Sequence, residues 1–354
     1  MKGRNGKIEL MRFVFALCIL LGHINLKVWN STKTFGSFTL SRRGYLGVEF
    51  FFLVAGWLMA KSVARQNAAG ACESAGEDTA LFLWKKVKGL LPYHLSVCAL
   101  AAISLALRAP VEMPGTLLVR LPGVLFLQNT GMLGESNPLI AMEWYLSAML
   151  IAMALLYPLS RRWYRTTVCY LAPLTAIVLL GWMVHETGYL SGTREYLGFW
   201  LKGNWRAIAE IALGMSCYEV SQMLGRRTWT QRQRFCLTAA EAVCYLLSLG
   251  YMFSDLGTEY ELLVLFLLTA AVTLSFSNAG VLTSAPFDNR LCAYLGAITL
   301  PLYLVQEVCW TAVQFWLGDL RPGIQAALIF SLSLLLAVLL HACFSQRRHK
   351  TPSA

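Results

Sequence analysis

Apolar residues fall in long uninterrupted blocks rather than alternating with polar ones. Ten stretches are long enough to span a bilayer, at 8–26, 45–62, 90–108, 143–159, 168–185, 205–224, 236–253, 260–276, 292–314 and 323–344. About 20 residues at about 1.5 Å each cross the hydrocarbon layer. Unpaired backbone groups are costly in lipid, so a crossing segment must be a helix or part of a closed barrel. The absence of period-two alternation selects helices. The pattern predicts an all-α polytopic transmembrane bundle of about ten spanning helices. A shorter apolar run at 117–127 follows Pro114 and Gly115 and reads as interfacial or re-entrant.

Composition strengthens this picture. Of 354 residues, 57% are hydrophobic and 14% charged, against about 25% charged in a soluble domain. The net charge of +11 is no sign of nucleic-acid binding, because its distribution follows the spans. With the span-edge residues Lys61, Arg108 and Arg206 counted in the adjoining connections, the even-numbered connections, taking the N-terminus as zero, hold 19 Lys and Arg and the odd-numbered ones 10. The positive-inside rule then predicts cytoplasmic termini in a multi-pass protein of the cell membrane. Residues 1–344 read as one membrane domain and 345–354 as a short basic cytoplasmic tail. Nine of ten cysteines lie in or beside spans, without C-x-x-C or zinc spacing, so neither a disulfide framework nor a metal site is expected. P-loop, H-E-x-x-H, G-x-S-x-G and G-x-G-x-x-G motifs are absent, so any chemistry resides within the bundle.

An ionisable residue inside a span is costly and marks function by default. The first span carries Arg12 and His23, eleven residues apart. At about 100° per residue they share one helix face, about 16 Å apart along the axis. The second span runs the opposite way and puts Glu49 near the depth of His23. A carboxylate there could fix the imidazole tautomer and raise its basicity. Glu143, Trp144, Ser147, Arg206, Glu210, Tyr303, Gln306 and Glu307 fall at similar depth and together suggest an outward-facing polar cavity. Lys85, Lys86 and Lys88 precede Pro92 on the inner side, either as a charge anchor or as a phosphate site.

These residues resemble the acyltransferase 3 family, membrane O-acyltransferases that modify bacterial surface sugars. That family has Arg, ten residues, then His in its first span, as in Arg12-FVFALCILLG-His23. Its G-V-[DE]-x-F-F-x-x-S-G-[FW] run is similar to GVEFFFLVAGW at 47–57, with Ala55 in place of Ser. Its basic run before Pro resembles FLWKKVKGLLP at 82–92, with Gly89 at the usual last Arg. WYLSA at 144–148 looks like one branch of the family, and PLYLVQ at 301–306 puts Gln306 where a His is usual.

The resemblance implies transfer of an acyl group, most often acetyl, from cytoplasmic acyl-coenzyme A to a hydroxyl of a cell-surface or exported glycan. His23 and Glu49 would be catalytic. Arg12, Lys85, Lys86 and Lys88 would bind the donor, and the outer polar residues would line the acceptor cavity. Acyl-coenzyme A is then a substrate, with no tightly bound cofactor expected. An alternative from the same polar residues is a transporter or flippase of a glycolipid or polysaccharide intermediate, which would use the cavity without making a bond.

Overall fold

A computed structural model describes residues 5–35, 38–70, 72–134 and 138–348. The end of the basic tail, 349–354, lies outside the described residues. The helices are α1 Gly6–Trp29, α2 Gly47–Ala69, α3 Ala75–Arg108, α4 Met113–Val119, α5 Leu121–Val124, α6 Glu143–Arg162 and α7 Tyr164–Thr166. They continue as α8 Ala172–Thr187, α9 Lys202–Arg226, α10 Gln231–Met252, α11 Glu261–Ser277, α12 Arg290–Trp316 and α13 Pro322–Arg348. Two short antiparallel hairpins, 34–39 and 196–201, sit in connections.

Local chemistry sets the helix ends. Asn5 caps α1 by accepting from the Ile8 N–H, and Asn30 closes it in the left-handed region. Ser74 caps α3 the same way, with Glu77 and Asp78 in the first turn. Thr230 and Gln233 form a capping box on α10.

Among the described residues, nine helices are long and apolar enough to cross a membrane. The expected span at 205–224 is a helix of sufficient length, α9, but it is too polar to qualify on its own composition. It lies against α2, α6, α8 and α11. Lys202, Asn204, Arg206 and Glu210 are buried by those neighbours. Among the described residues the bundle therefore holds nine apolar spans and one polar helix walled in by four of them.

Glycines bring α9 against α2. A Cβ on Gly56 would sit 2.1 Å from the Ile211 carbonyl oxygen, and one on Gly214 would sit 2.2 Å from that of Leu53. Only hydrogen fits at either position, so the two backbones approach closely, as small residues allow between membrane helices. That approach sets Glu49 of α2 beside Arg206 of α9. Elsewhere α1 packs along α12, which packs along α13.

The run at 117–127, expected to be interfacial or re-entrant, folds into short segments that lie against α3. It holds part of α4, α5 and the left-handed Phe126. The Val124 carbonyl accepts from His94 Nε2 at 3.0 Å. His94 lies fourteen residues from the Arg108 end of α3, about 21 Å along a helix axis. Pro and Gly break the run into short helices, with Gly123 and Phe126 buried and Leu118, Val119, Leu121 and Leu125 exposed.

Candidate functional site

His23 lies one turn and a half from the C-terminal end of α1, half-buried. Its Nδ1 lies 2.8 Å from Oε1 of Gln306 on α12. An amide oxygen only accepts, so Nδ1 carries the hydrogen and Nε2 is left to accept. Trp310, one turn further along α12, packs its ring 5.3 Å from the imidazole. His23 lines a cavity of about 410 Å³ with Arg42, Tyr45, Trp144, Arg194, Arg206 and Tyr303.

The expected pairing of Glu49 with His23 is corrected by this arrangement. Glu49 is fully buried and accepts from Arg206 Nη2. Arg206 also donates from Nε to Glu210 at 2.9 Å, so one buried guanidinium holds two buried carboxylates. Matching depth was sound reasoning, but depth says nothing of azimuth. The close α2–α9 packing turns Glu49 toward α9, and Gln306 takes the place beside the imidazole. Arg206, expected as one of several polar residues of the cavity, lines it and is also the cation that joins the two carboxylates. Its signal was an Arg and a Glu at i and i+4 inside a polar helix.

The polar residues expected to line one cavity divide. Trp144 and Tyr303 line it, and Gln306 stands behind His23. Ser147 accepts from the Asn129 backbone N–H at 3.0 Å, and Glu210 is held by Arg206. Glu143 faces away, where its Oε1 accepts from the Cys98 thiol at 3.3 Å and lies 3.7 Å from His94 Nδ1. These three residues are buried, with one ligand atom from each within 4.8 Å of the others. Among the described residues these three could hold a metal ion, a set that sequence spacing did not bring together because His94 and Cys98 meet Glu143 only through the fold.

Toward the other end of α1, Arg12 lines a second cavity of about 280 Å³ with Lys85, Lys86, Leu90, Phe51, Tyr145 and Thr299. Arg12 donates to Glu9 at 3.2 Å and remains partly exposed. Lys86 also lies over the Phe82 ring. Lys88 does not line this cavity; its ammonium lies 5.0 Å over Trp84. Val48 and Tyr303 line both cavities, so the two meet there. The Tyr303 hydroxyl is buried without a hydrogen-bond partner.

The family comparison matches an acyltransferase domain over residues 5–342, nearly the whole chain. The chain belongs to this acyltransferase family. No curated protein and no solved structure matches it. Membership makes the chain a multi-pass acyltransferase, and both cavities lie within the matched residues.

Proposed function

We propose that this acyltransferase moves an acyl group from cytoplasmic acyl-coenzyme A to a hydroxyl of an exported or surface glycan. One observation carries the reading: a single helix, α1, presents a cation to one cavity and an oriented imidazole to another, and the two cavities meet at Val48 and Tyr303. The donor enters at the Arg12 end. Arg12, Lys85 and Lys86 face its phosphates, since guanidinium and ammonium groups bind such anions by charge-assisted hydrogen bonds. The pantetheine arm runs past Val48 and Tyr303 and carries the thioester toward His23.

The acceptor hydroxyl enters from the other face. Its oxygen attacks the thioester carbonyl carbon as His23 Nε2 takes its proton. The C–S bond breaks, an ester C–O bond forms, and the imidazolium returns the proton to the leaving thiolate. Gln306 positions the ring through Nδ1 and does not touch the reacting atoms. The charge asymmetry of the connections supports a cytoplasmic position for the Arg12 end and both termini, which suits the bacterial inner membrane.

The test separates the two ends of α1. Arg12→Ala should weaken binding of coenzyme A to purified protein by roughly 10- to 150-fold, the loss of one charge-assisted contact. His23→Ala should bind coenzyme A as wild type does and lose about 100- to 10,000-fold in acyl transfer. A folded His23→Ala protein with full transfer activity overturns the assignment.

A further inference from the structure

Ten Lys and Arg residues belong to the odd-numbered connections, on the face assigned to the outside. Four of them, Lys27, Arg108, Arg120 and Arg194, converge on one cavity of about 450 Å³. Glu307 is the acid in its lining, and its carboxylate accepts from the Ala141 backbone N–H. Among the described residues, Lys27, Arg108 and Arg120 form no ion pair within 4 Å. Lys27 rests over the Trp310 ring at 5.1 Å, and Arg108 Nε donates to its own helix at Ser104. Like charges gathered in one concave site repel one another. They also oppose the inside bias of positive residues. Such a cleft focuses a positive potential that draws in an anion.

This cavity adjoins the His23 site. Ala141 and Arg194 line both. Trp310 lines the basic cavity and presents its ring to His23 at 5.3 Å. The basic wall is therefore one aromatic ring away from the imidazole.

We infer that the acceptor is anionic: the basic cavity holds a carboxylate or phosphate group of the acceptor while a neighbouring hydroxyl reaches His23. The inference rests on the acyl-transfer reading. Guanidinium groups bind both anions through paired N–H donors, so the shared chemistry is an oxyanion within one or two sugar units of the acylated hydroxyl. Its two sources are an acidic sugar of the glycan and the diphosphate of a lipid carrier.

Binding is measured by calorimetry on the full chain in a neutral detergent. The probes are a galacturonic acid trisaccharide, the matching neutral galactose trisaccharide and polyprenyl-diphosphate-linked galactose. The expected result is that one anionic probe binds at least 10-fold more tightly than the neutral trisaccharide. This advantage should shrink with added salt. It should fall roughly 10- to 150-fold in Arg108→Gln/Arg120→Gln, with coenzyme A binding unchanged. Preference for the trisaccharide acid assigns the anion to the glycan, and preference for the lipid diphosphate assigns it to the carrier. If the double variant fails to fold, exposed Lys27→Gln carries the same test. The inference is overturned if neither anionic probe outbinds the neutral one, or if the variants weaken coenzyme A instead. Because binding is read without turnover, a protein that prefers the anion yet transfers no acyl group refutes acyl transfer alone. A protein that acylates the neutral trisaccharide with KM indifferent to Arg108 and Arg120 refutes this inference alone.

Discussion

Replacing Gln306 by Ala removes the one hydrogen bond that fixes the His23 ring, the 2.8 Å contact at Nδ1. Both partners are neutral when the imidazole waits to accept a proton. Such a bond contributes about 0.5–1.5 kcal/mol net. Divided by RT of about 0.59 kcal/mol, that is a factor of about 2 to 13 in the population of the working tautomer and orientation. Gln306 Nε2 has no partner of its own, so the truncation breaks no second bond. The expected outcome is a kcat lowered by about 2- to 13-fold, against about 100-fold or more for His23→Ala. The KM for acetyl-coenzyme A should stay put, because Gln306 does not line the Arg12 cavity. Thiol release from acetyl-coenzyme A at saturating acceptor reads both constants, and thermal unfolding confirms that the variant is folded. An unchanged kcat would show that packing against Trp310 alone holds the ring. A loss as large as that of His23→Ala would show that Gln306 takes part in the chemistry rather than in positioning.

Three further outcomes follow from the packing. Arg206→Met leaves Glu49 and Glu210 buried without a cation and should cost about 3–5 kcal/mol of stability. Glu49→Gln keeps the Arg206–Glu210 pair and should cost less, and added to Arg206→Met it should return part of the loss. Wild-type melting of Arg206→Met in detergent would refute the pairing. Gly56→Val places carbon against the Ile211 carbonyl and should destabilise by at least about 1–3 kcal/mol, as overpacking does; unchanged melting would mean that α2 and α9 can part freely. Lys88→Gln should leave coenzyme A affinity as it is, while Lys86→Gln lowers it, because only Lys86 lines the Arg12 cavity. The reverse order would relocate the donor site.

Hydropathy made the helices legible because lipid allows little else. It made α9 the least legible, since a helix walled in by other helices is released from the apolar rule and can carry Lys202, Arg206 and Glu210. The separation of Arg12 from His23 was also legible, because both lie on one helix and helix geometry is fixed. Partners across helices were not. Glu49 and His23 share a depth, but rotation about each helix axis is set by contacts such as Gly56 on Ile211, which composition does not encode. Lys85 and Lys86 line one cavity and Lys88 does not, a division that their spacing in the sequence does not announce. The run at 117–127 was visible in its Pro and Gly breaks, yet its union with His94 required the fold.

The division of charge inside the bundle bears on why Gln306 stands beside His23. An ionised carboxylate in a low-dielectric interior is tolerated when a cation pairs with it. The buried carboxylates Glu49 and Glu210 share Arg206, which lines the site. Had Glu49 faced His23 instead, the resting imidazole would have been its sole partner, and a neutral ring cannot balance it. Giving His23 an amide partner keeps the resting pair uncharged, so in the proposed transfer charge forms there only when the hydroxyl proton arrives. In that proposal the thiolate recovers the proton as the C–S bond breaks, and the site returns to neutrality within one turnover. Other cations line the two adjoining cavities, Arg12 with Lys85 and Lys86 in one and Lys27 with Arg108, Arg120 and Arg194 in the other. In the proposed reaction the anionic groups of donor and acceptor enter those two cavities.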